Sequence, residues 1–183
     1  MDALIPCDPF PICDRLRAAH ATIREEVDRA PDDLWVGWPN QIDVSGDVQV
    51  LPLFLRYRPP TLPAVEDRAR EACPRTWELL RNDTQTIVFS RMQPGCHVRP
   101  HRDLDGPDHL RCHLGLTVRE GAWMRVDGQL QHWRDGECIV FDPRRTHEVK
   151  NEGEAPRTIL IVDFLPTAAQ LAAAGCDGLQ PNA

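Results

Sequence analysis

Hydrophobic and polar positions change rhythm near residue 84. Before it, Ile12, Leu16, Ala19, Ile23 and Val27 recur at the spacing of one helix face. About 10–30 is therefore expected to be an amphipathic helix, ended by Pro31-Asp32-Asp33. The segment VQVLPLFLRYRPP (48–60) reads as a strand closed by Pro59-Pro60. Residues 62–82 return to a helical pattern, with Pro74 starting a second, shorter helix, PRTWELLRN.

From Thr84 onward, short apolar runs alternate with turn signals. Strands are expected near 84–92, 109–119, 122–127, 129–134, 137–142, 145–151 and 156–165. Asp127-Gly128, between MRV and QLQHW, has the residue types of a two-residue type I′ hairpin. Such a series predicts an antiparallel sandwich or barrel. After Pro166 an Ala-rich stretch predicts a short helix and a frayed end.

A chain of 183 residues buries roughly 70% of its unfolded surface and needs no disulfide to hold together. One domain is the simplest reading. Residues 1–83 would form a helical and strand support region, 84–166 the β core, and 167–183 a tail.

Alternation sorts the segment 109–118 into two rows. Leu110, Cys112, Leu114, Leu116 and Val118 share one face, and His109, Arg111, His113, Gly115 and Thr117 the other. The polar row either faces water, as on many half-buried strands, or points inward onto a ligand.

Composition narrows the classes. A net charge of −7 with a single lysine, Lys150, argues against a nucleic-acid surface. No apolar run reaches the length of a membrane span, and no secretory leader pattern opens the chain. The seven cysteines include no C-x-x-C pair, so a reduced, cytoplasmic protein is expected. Cys112 and Cys138 read as small buried strand residues. Nothing requires a dimer.

Against this background PHRDLDGPDHLRCHLGL (100–116) is rich in chemistry. His101 and Asp103 share a face if the chain is extended there, and His147 follows the apolar strand CIVFD and the turn PRRT. His-x-Asp with a distant His is the minimal pattern of a 2-His-1-carboxylate iron site, which leaves positions open for substrates. A zinc site from Cys96, His97, His101 and Cys112 fits no usual finger or ribbon spacing.

Several segments in order resemble the aspartyl/asparaginyl β-hydroxylases: CPRTWELL (73–80), FSRMQPGCHVRPH (89–101), RCHLGL (111–116), FDPRRTHEVKNEGEAPR (141–157) and IVDFLP (161–166). The resemblance covers roughly half the chain. It implies a mainly β fold, a double-stranded β-helix of jelly-roll or cupin-like form, flanked by N-terminal helices. It also implies an iron(II)- and 2-oxoglutarate-dependent dioxygenase that uses O2 and releases succinate as it hydroxylates an unactivated C–H.

Carried over by position, His101 and His147 match the iron-binding histidines. Arg157 matches the arginine on the distal carboxylate of 2-oxoglutarate, Ser90 lines that cosubstrate, and Arg111 and His113 complete its pocket. Vertebrate-type members have glycine at the position of Asp103, whereas others carry His-x-Asp, so Asp103 suggests a complete triad. The loop 104–110 is one residue longer than the vertebrate-type pattern, leaving Asp105 and Asp108 as rival carboxylates. A buried arginine requires an anion. For Arg157 that is the cosubstrate or a protein acid such as Glu152 or Asp163.

The expected substrate is a free amino acid, a ribosomal peptide or a carrier-bound residue. Loop arginines 102, 119, 144 and 145 are candidates to meet an acidic one. Two readings compete. One is a cupin-like lyase, isomerase or hydrolase using the same metal residues; the other is a non-catalytic module that binds 2-oxoglutarate or a peptide.

Overall fold

A computed structural model describes residues 3–38, 44–103 and 109–176. In chain order it has β1 (Leu4–Ile5), α1 (Pro11–Arg29), β2 (Val36–Gly37), β3 (Val44–Ser45), β4 (Val48–Leu55), α2 (Glu66–Ala72) and α3 (Pro74–Leu80). Then follow β5 (Thr84–Met92), β6 (His97–His101), β7 (Leu110–Thr117), β8 (Ala122–Val126) and β9 (Gln129–Gln131). The chain continues through β10 (Cys138–Phe141), β11 (His147–Asn151), β12 (Arg157–Phe164) and α4 (Ala168–Ala173). Asp105, Asp108 and the tail beyond Cys176 lie outside the described residues.

Two antiparallel sheets face each other. The larger runs β1-β10-β7-β12-β5-β4-β2 and the smaller β3-β6-β11-β8-β9. This is the jelly-roll arrangement, with strands β1 to β4 extending both sheets beyond residues 84–166. The apolar pattern does not predict β1, β2, β3 or β6. The first three are two residues long, and β6 (HVRPH) contains Pro100 and no regular apolar alternation.

The helices cover the outer face of the large sheet. Pro11 opens α1, and its buried residues Ile12, Leu16, Ile23 and Val27 pack over the sheet with Phe89, Leu114 and Leu160. Glu26 on α1 then caps α3: its carboxylate accepts from Arg75 N at 2.7 Å, Thr76 N at 2.9 Å and Thr76 Oγ1 at 2.7 Å. An anion at a helix start satisfies free amide donors and complements the helix dipole. At the other end of the chain Thr167 and Gln170 form a reciprocal capping box on α4.

A second apolar cluster fills the space between the sheets, with Val50, Met92, Met124, Phe141 and Ile159 at its centre. The large sheet is therefore buried on both faces, and all eight residues of β12 are buried. That settles the two rows of β7. Leu110, Cys112, Leu114 and Leu116 lie under the helices. Arg111 and His113 point between the sheets, not into water.

Two turns shape the interior. Asp127 and Gly128 have φ of 44° and 86°, the left-handed pair a type I′ hairpin needs. Strand β9 ends at Gln131, short of the expected 134, because the chain there leaves its sheet and crosses to β7. Gly115 permits that crossing: a Cβ there would sit 2.2 Å from the Arg134 carbonyl oxygen. The crossing brings Trp133 into the inter-sheet cluster.

Candidate active site

The mouth between the sheets gathers the polar residues. His101 on β6 and His147 on β11 are directly opposed across an antiparallel pair. Their rings lie 4.1 Å apart between centroids. Nδ1 of His101 is 2.8 Å from the Arg99 carbonyl, and Nδ1 of His147 is 3.0 Å from that of Arg145. A carbonyl can only accept, so each Nδ1 carries the hydrogen and each Nε2 presents its lone pair.

Asp103 completes the group. Its Oδ1 is 3.6 Å from His101 Nε2, and ligand atoms of His101, Asp103 and His147 all lie within 4.8 Å of one another. Burial, then His101, bring the pKa of His147 down to about 4, so its imidazole is neutral at pH 7. Burial would raise the Asp103 pKa, but Arg111, His147 and His101 outweigh it and lower the value. Two imidazoles and a carboxylate form the donor set of a facial iron site.

The large sheet supplies the opposite wall. Ser90 on β5, His113 on β7 and Arg157 on β12 line a narrow inner chamber of about 50 Å³ beneath the two histidines. Arg157 is 2% exposed and has no carboxylate partner among the described residues. Its Nη2 reaches only Ser90 Oγ, at 3.4 Å, its Nε has no hydrogen-bond partner, and its guanidinium stacks 5.0 Å from the Trp133 ring. Burial pushes its pKa down to about 9. Both ring nitrogens of His113 are likewise without hydrogen bonds, and burial lowers its pKa. An orphaned cation and an orphaned imidazole at one chamber fit an anion with more than one acceptor.

Glu152 and Asp163, the protein acids weighed for Arg157, are engaged elsewhere. Glu152 accepts from Lys150 and Trp123. Asp163 faces Arg111 across the β12–β7 pair, accepting from Nε at 2.7 Å and Nη2 at 3.0 Å. The third Arg111 nitrogen, Nη1, donates to Asp103 Oδ2 at 2.5 Å. Burial works against the Arg111 charge, yet the two carboxylates hold its pKa above the ordinary value. Arg111 thus reaches the pocket with its charge already matched.

The four loop arginines are also occupied: Arg102 by Thr146, Arg119 and Arg144 by Asp135 and Asp142, and Arg145 by Asp127. Cys96 and Cys112 lie in separate clusters, so the zinc grouping with His97 and His101 does not assemble.

Trp133 and Trp38 join the site without being expected there, the latter lining both chambers, and Asp163 joins it as the partner of Arg111 instead of Arg157. Asp163 carried a readable signal. It shares parity with Arg157, Ile159 and Ile161 on β12, which assigns it to the inward face. Outside the inner chamber a wider cavity of about 320 Å³ opens, walled by Val50, Leu55, Tyr57, Leu62 and Val88. Its polar end is His101, Asp103 and Arg111.

Residues 18–166 match the sequence profile of a family described as aspartyl/asparaginyl beta-hydroxylase. The chain belongs to that family. Within it, the chain is 31% identical over 169 residues to the ornithine lipid ester-linked acyl 2-hydroxylase of Rhizobium tropici, a match covering 85% of this chain and 58% of that protein. It is 36% identical over 107 residues to the aspartyl/asparaginyl beta-hydroxylase of Mus musculus, covering 53% of this chain and 14% of that one. The chain therefore spans little more than half the length of the first relative and a small part of the second. Among solved structures, an oxidoreductase of the 2OG-Fe(II) oxygenase family from Burkholderia pseudomallei superposes with a TM-score of 0.53 at 17% identity. That match covers 84% of this chain and 88% of the other, and it supports the fold of this hydroxylase-family member. Among the described residues no helix is long and apolar enough to cross a membrane.

Proposed function

We propose that the protein is an iron(II)- and 2-oxoglutarate-dependent hydroxylase. One observation carries the reading: His101, Asp103 and His147 converge beside a buried arginine, Arg157, that lacks an anionic partner among the described residues. The residues fit both groups. The three side chains would hold ferrous iron, and Arg157 with Ser90 would take the distal carboxylate of 2-oxoglutarate. Bound there, iron with 2-oxoglutarate and O2 supplies the oxidising power to hydroxylate an unactivated C–H, with succinate and CO2 released.

The chain's own residues do the positioning. The Arg99 and Arg145 carbonyls fix the histidine tautomers, which aims each Nε2 at the shared point. Arg111 holds Asp103 through one oxygen and leaves the other directed toward His101. Trp133 and Phe141 pack against His113 and hold its ring at the chamber wall. Apolar surroundings of this kind strengthen charge-assisted contacts.

For the substrate, an amino acid or an amino-acid residue in a peptide is the first reading, following the family description. The outer cavity favours a second. Its apolar wall suits a hydrocarbon chain, and the ornithine-lipid relative acts, by its name, on an ester-linked acyl group. A screen of amino acids, peptides and acyl-amino acids tests both, with product mass and succinate measured together. Gain of one oxygen with an equal amount of succinate supports the reading. Turnover of a substrate without succinate favours a cupin-like lyase or hydrolase instead. 2-Oxoglutarate binding without turnover of any candidate favours a sensor.

A further inference from the structure

On the other face of β7, behind Arg111 and His113, four cysteines meet. Cys13 comes from the first turn of α1, Cys112 from the middle of β7, Cys138 from the start of β10, and Cys7 from the segment before α1. Sγ of Cys13 lies 4.0 Å from Sγ of Cys112, and the sulfurs of Cys13, Cys112 and Cys138 are all within 4.8 Å of one another. Cys7 lies at the edge of this group, donating to the Cys138 carbonyl at 3.4 Å and hydrogen-bonding the Cys13 thiol. No disulfide links any of them.

We infer that Cys13, Cys112 and Cys138, with Cys7 as the fourth ligand, form a structural site for a thiophilic divalent cation of the zinc type, separate from the iron site.

Three arguments support it. Zinc–sulfur bonds of about 2.3 Å place tetrahedral thiolates about 3.8 Å apart, so the sulfurs of Cys13, Cys112 and Cys138 need to move by about an ångström or less, and Cys7 turns in as the fourth ligand. The sulfurs of Cys13, Cys112 and Cys138 turn toward one another across three separate elements. A thiolate cluster also needs compensating positive charge, and Arg17, one turn along α1, is close enough to interact with Cys7, Cys13 and Cys138. Hydrogen bonds from the Cys112 and Cys13 thiols pull the Cys138 pKa down, whereas hydrogen bonding and burial raise those of Cys7 and Cys112, whose protons the ion must displace. Cys13 and Cys112 are buried while Cys7 and Cys138 are half-buried, which gives an ion an entry side. On binding, each thiol gives up its proton to solvent, and the ion ties α1 to β7 and β10.

The test is an anaerobic titration of the reduced full chain with Co(II), followed by displacement with Zn(II). A His147→Ala variant serves in parallel to remove the contribution of the iron site. The expected result in both proteins is one equivalent of cobalt giving a sulfur-to-metal charge-transfer band and the intense ligand-field bands of four-coordinate thiolate, both erased by zinc. Cys138→Ala should abolish the charge-transfer band and Cys7→Ala should weaken it. Both positions are half-buried, so these variants carry the test even if Cys13→Ala or Cys112→Ala does not fold. Zinc should also protect Cys138 from alkylation. Absence of the band in the reduced wild-type protein, or a band unchanged in Cys138→Ala, overturns the inference. So does a Cys13–Cys112 disulfide that, once reduced, leaves a protein that binds no cobalt.

Discussion

Arg111 holds Asp103. Its Nη1 donates to Asp103 Oδ2 at 2.5 Å while its other edge is clamped by Asp163, and Asp103 Oδ1 is left 3.6 Å from His101 Nε2. On the proposed reading, the guanidinium is therefore a brace for a metal ligand more than a grip for a cosubstrate. Removing an outer partner of a metal ligand typically costs 10- to 100-fold in metal affinity.

Arg111→Met should accordingly weaken ferrous binding by about 10- to 100-fold. Asp163→Asn, which loosens the clamp without removing the brace, should cost less. Asp103→Ala should abolish turnover if the carboxylate is a ligand. Full activity in Asp103→Ala would leave a two-histidine site. Metal affinity by anaerobic calorimetry and turnover on any accepted substrate read these outcomes.

Arg157 gives a prediction of opposite signs. Its buried charge is unpaired among the described residues, so the empty protein carries the desolvation cost of a cation. Arg157→Met should raise the thermal midpoint of the ligand-free protein. The same change removes a charge-assisted pair of about 1.5–3 kcal/mol, so affinity for 2-oxoglutarate should fall roughly 10- to 100-fold. A lower midpoint together with unchanged 2-oxoglutarate affinity would remove this arginine from the cosubstrate site.

Acid should destabilise the ligand-free fold through His147. An ordinary histidine takes its proton near pH 6.5, while burial holds His147 at about 4. Between those values the unfolded chain binds a proton that the folded chain refuses, so stability falls as pH falls. His113, lowered by burial, acts in the same direction. His147→Gln should flatten the pH dependence of the denaturation midpoint between about pH 6.5 and 4.

The outer cavity separates the two substrate readings. Leu55→Asp places a charge on its apolar wall. If a hydrocarbon chain lies there, the change should raise KM for an acyl substrate by tenfold or more and leave a free amino acid nearly unaffected, since each buried CH2 is worth about 0.8 kcal/mol. Equal effects on both would argue that no chain occupies the wall.

Much of this was legible in the sequence because periodicity survives where an element buries one face. The apolar row of α1 and the leucine row of β7 both point to the first core cluster. The motif around His101 and His147 was readable because His-x-Asp needs only an extended segment. Less legible were relations set by register. Nothing local says that Asp163 stands opposite Arg111 and takes the charge expected for a cosubstrate. Nor does spacing announce that the chain after β9 crosses Gly115 and swings Trp133 over Arg157. The four cysteines, far apart along the chain, meet only because α1 lies across β7 beside β10.

The most direct measurement is an anaerobic calorimetric titration of 2-oxoglutarate into the protein with and without ferrous iron, repeated for His147→Ala and Arg157→Met. Tight, one-to-one binding that needs iron, disappears in His147→Ala and weakens in Arg157→Met is the predicted result. Binding indifferent to iron and to both substitutions, or no binding to the iron-loaded wild type, would contradict it.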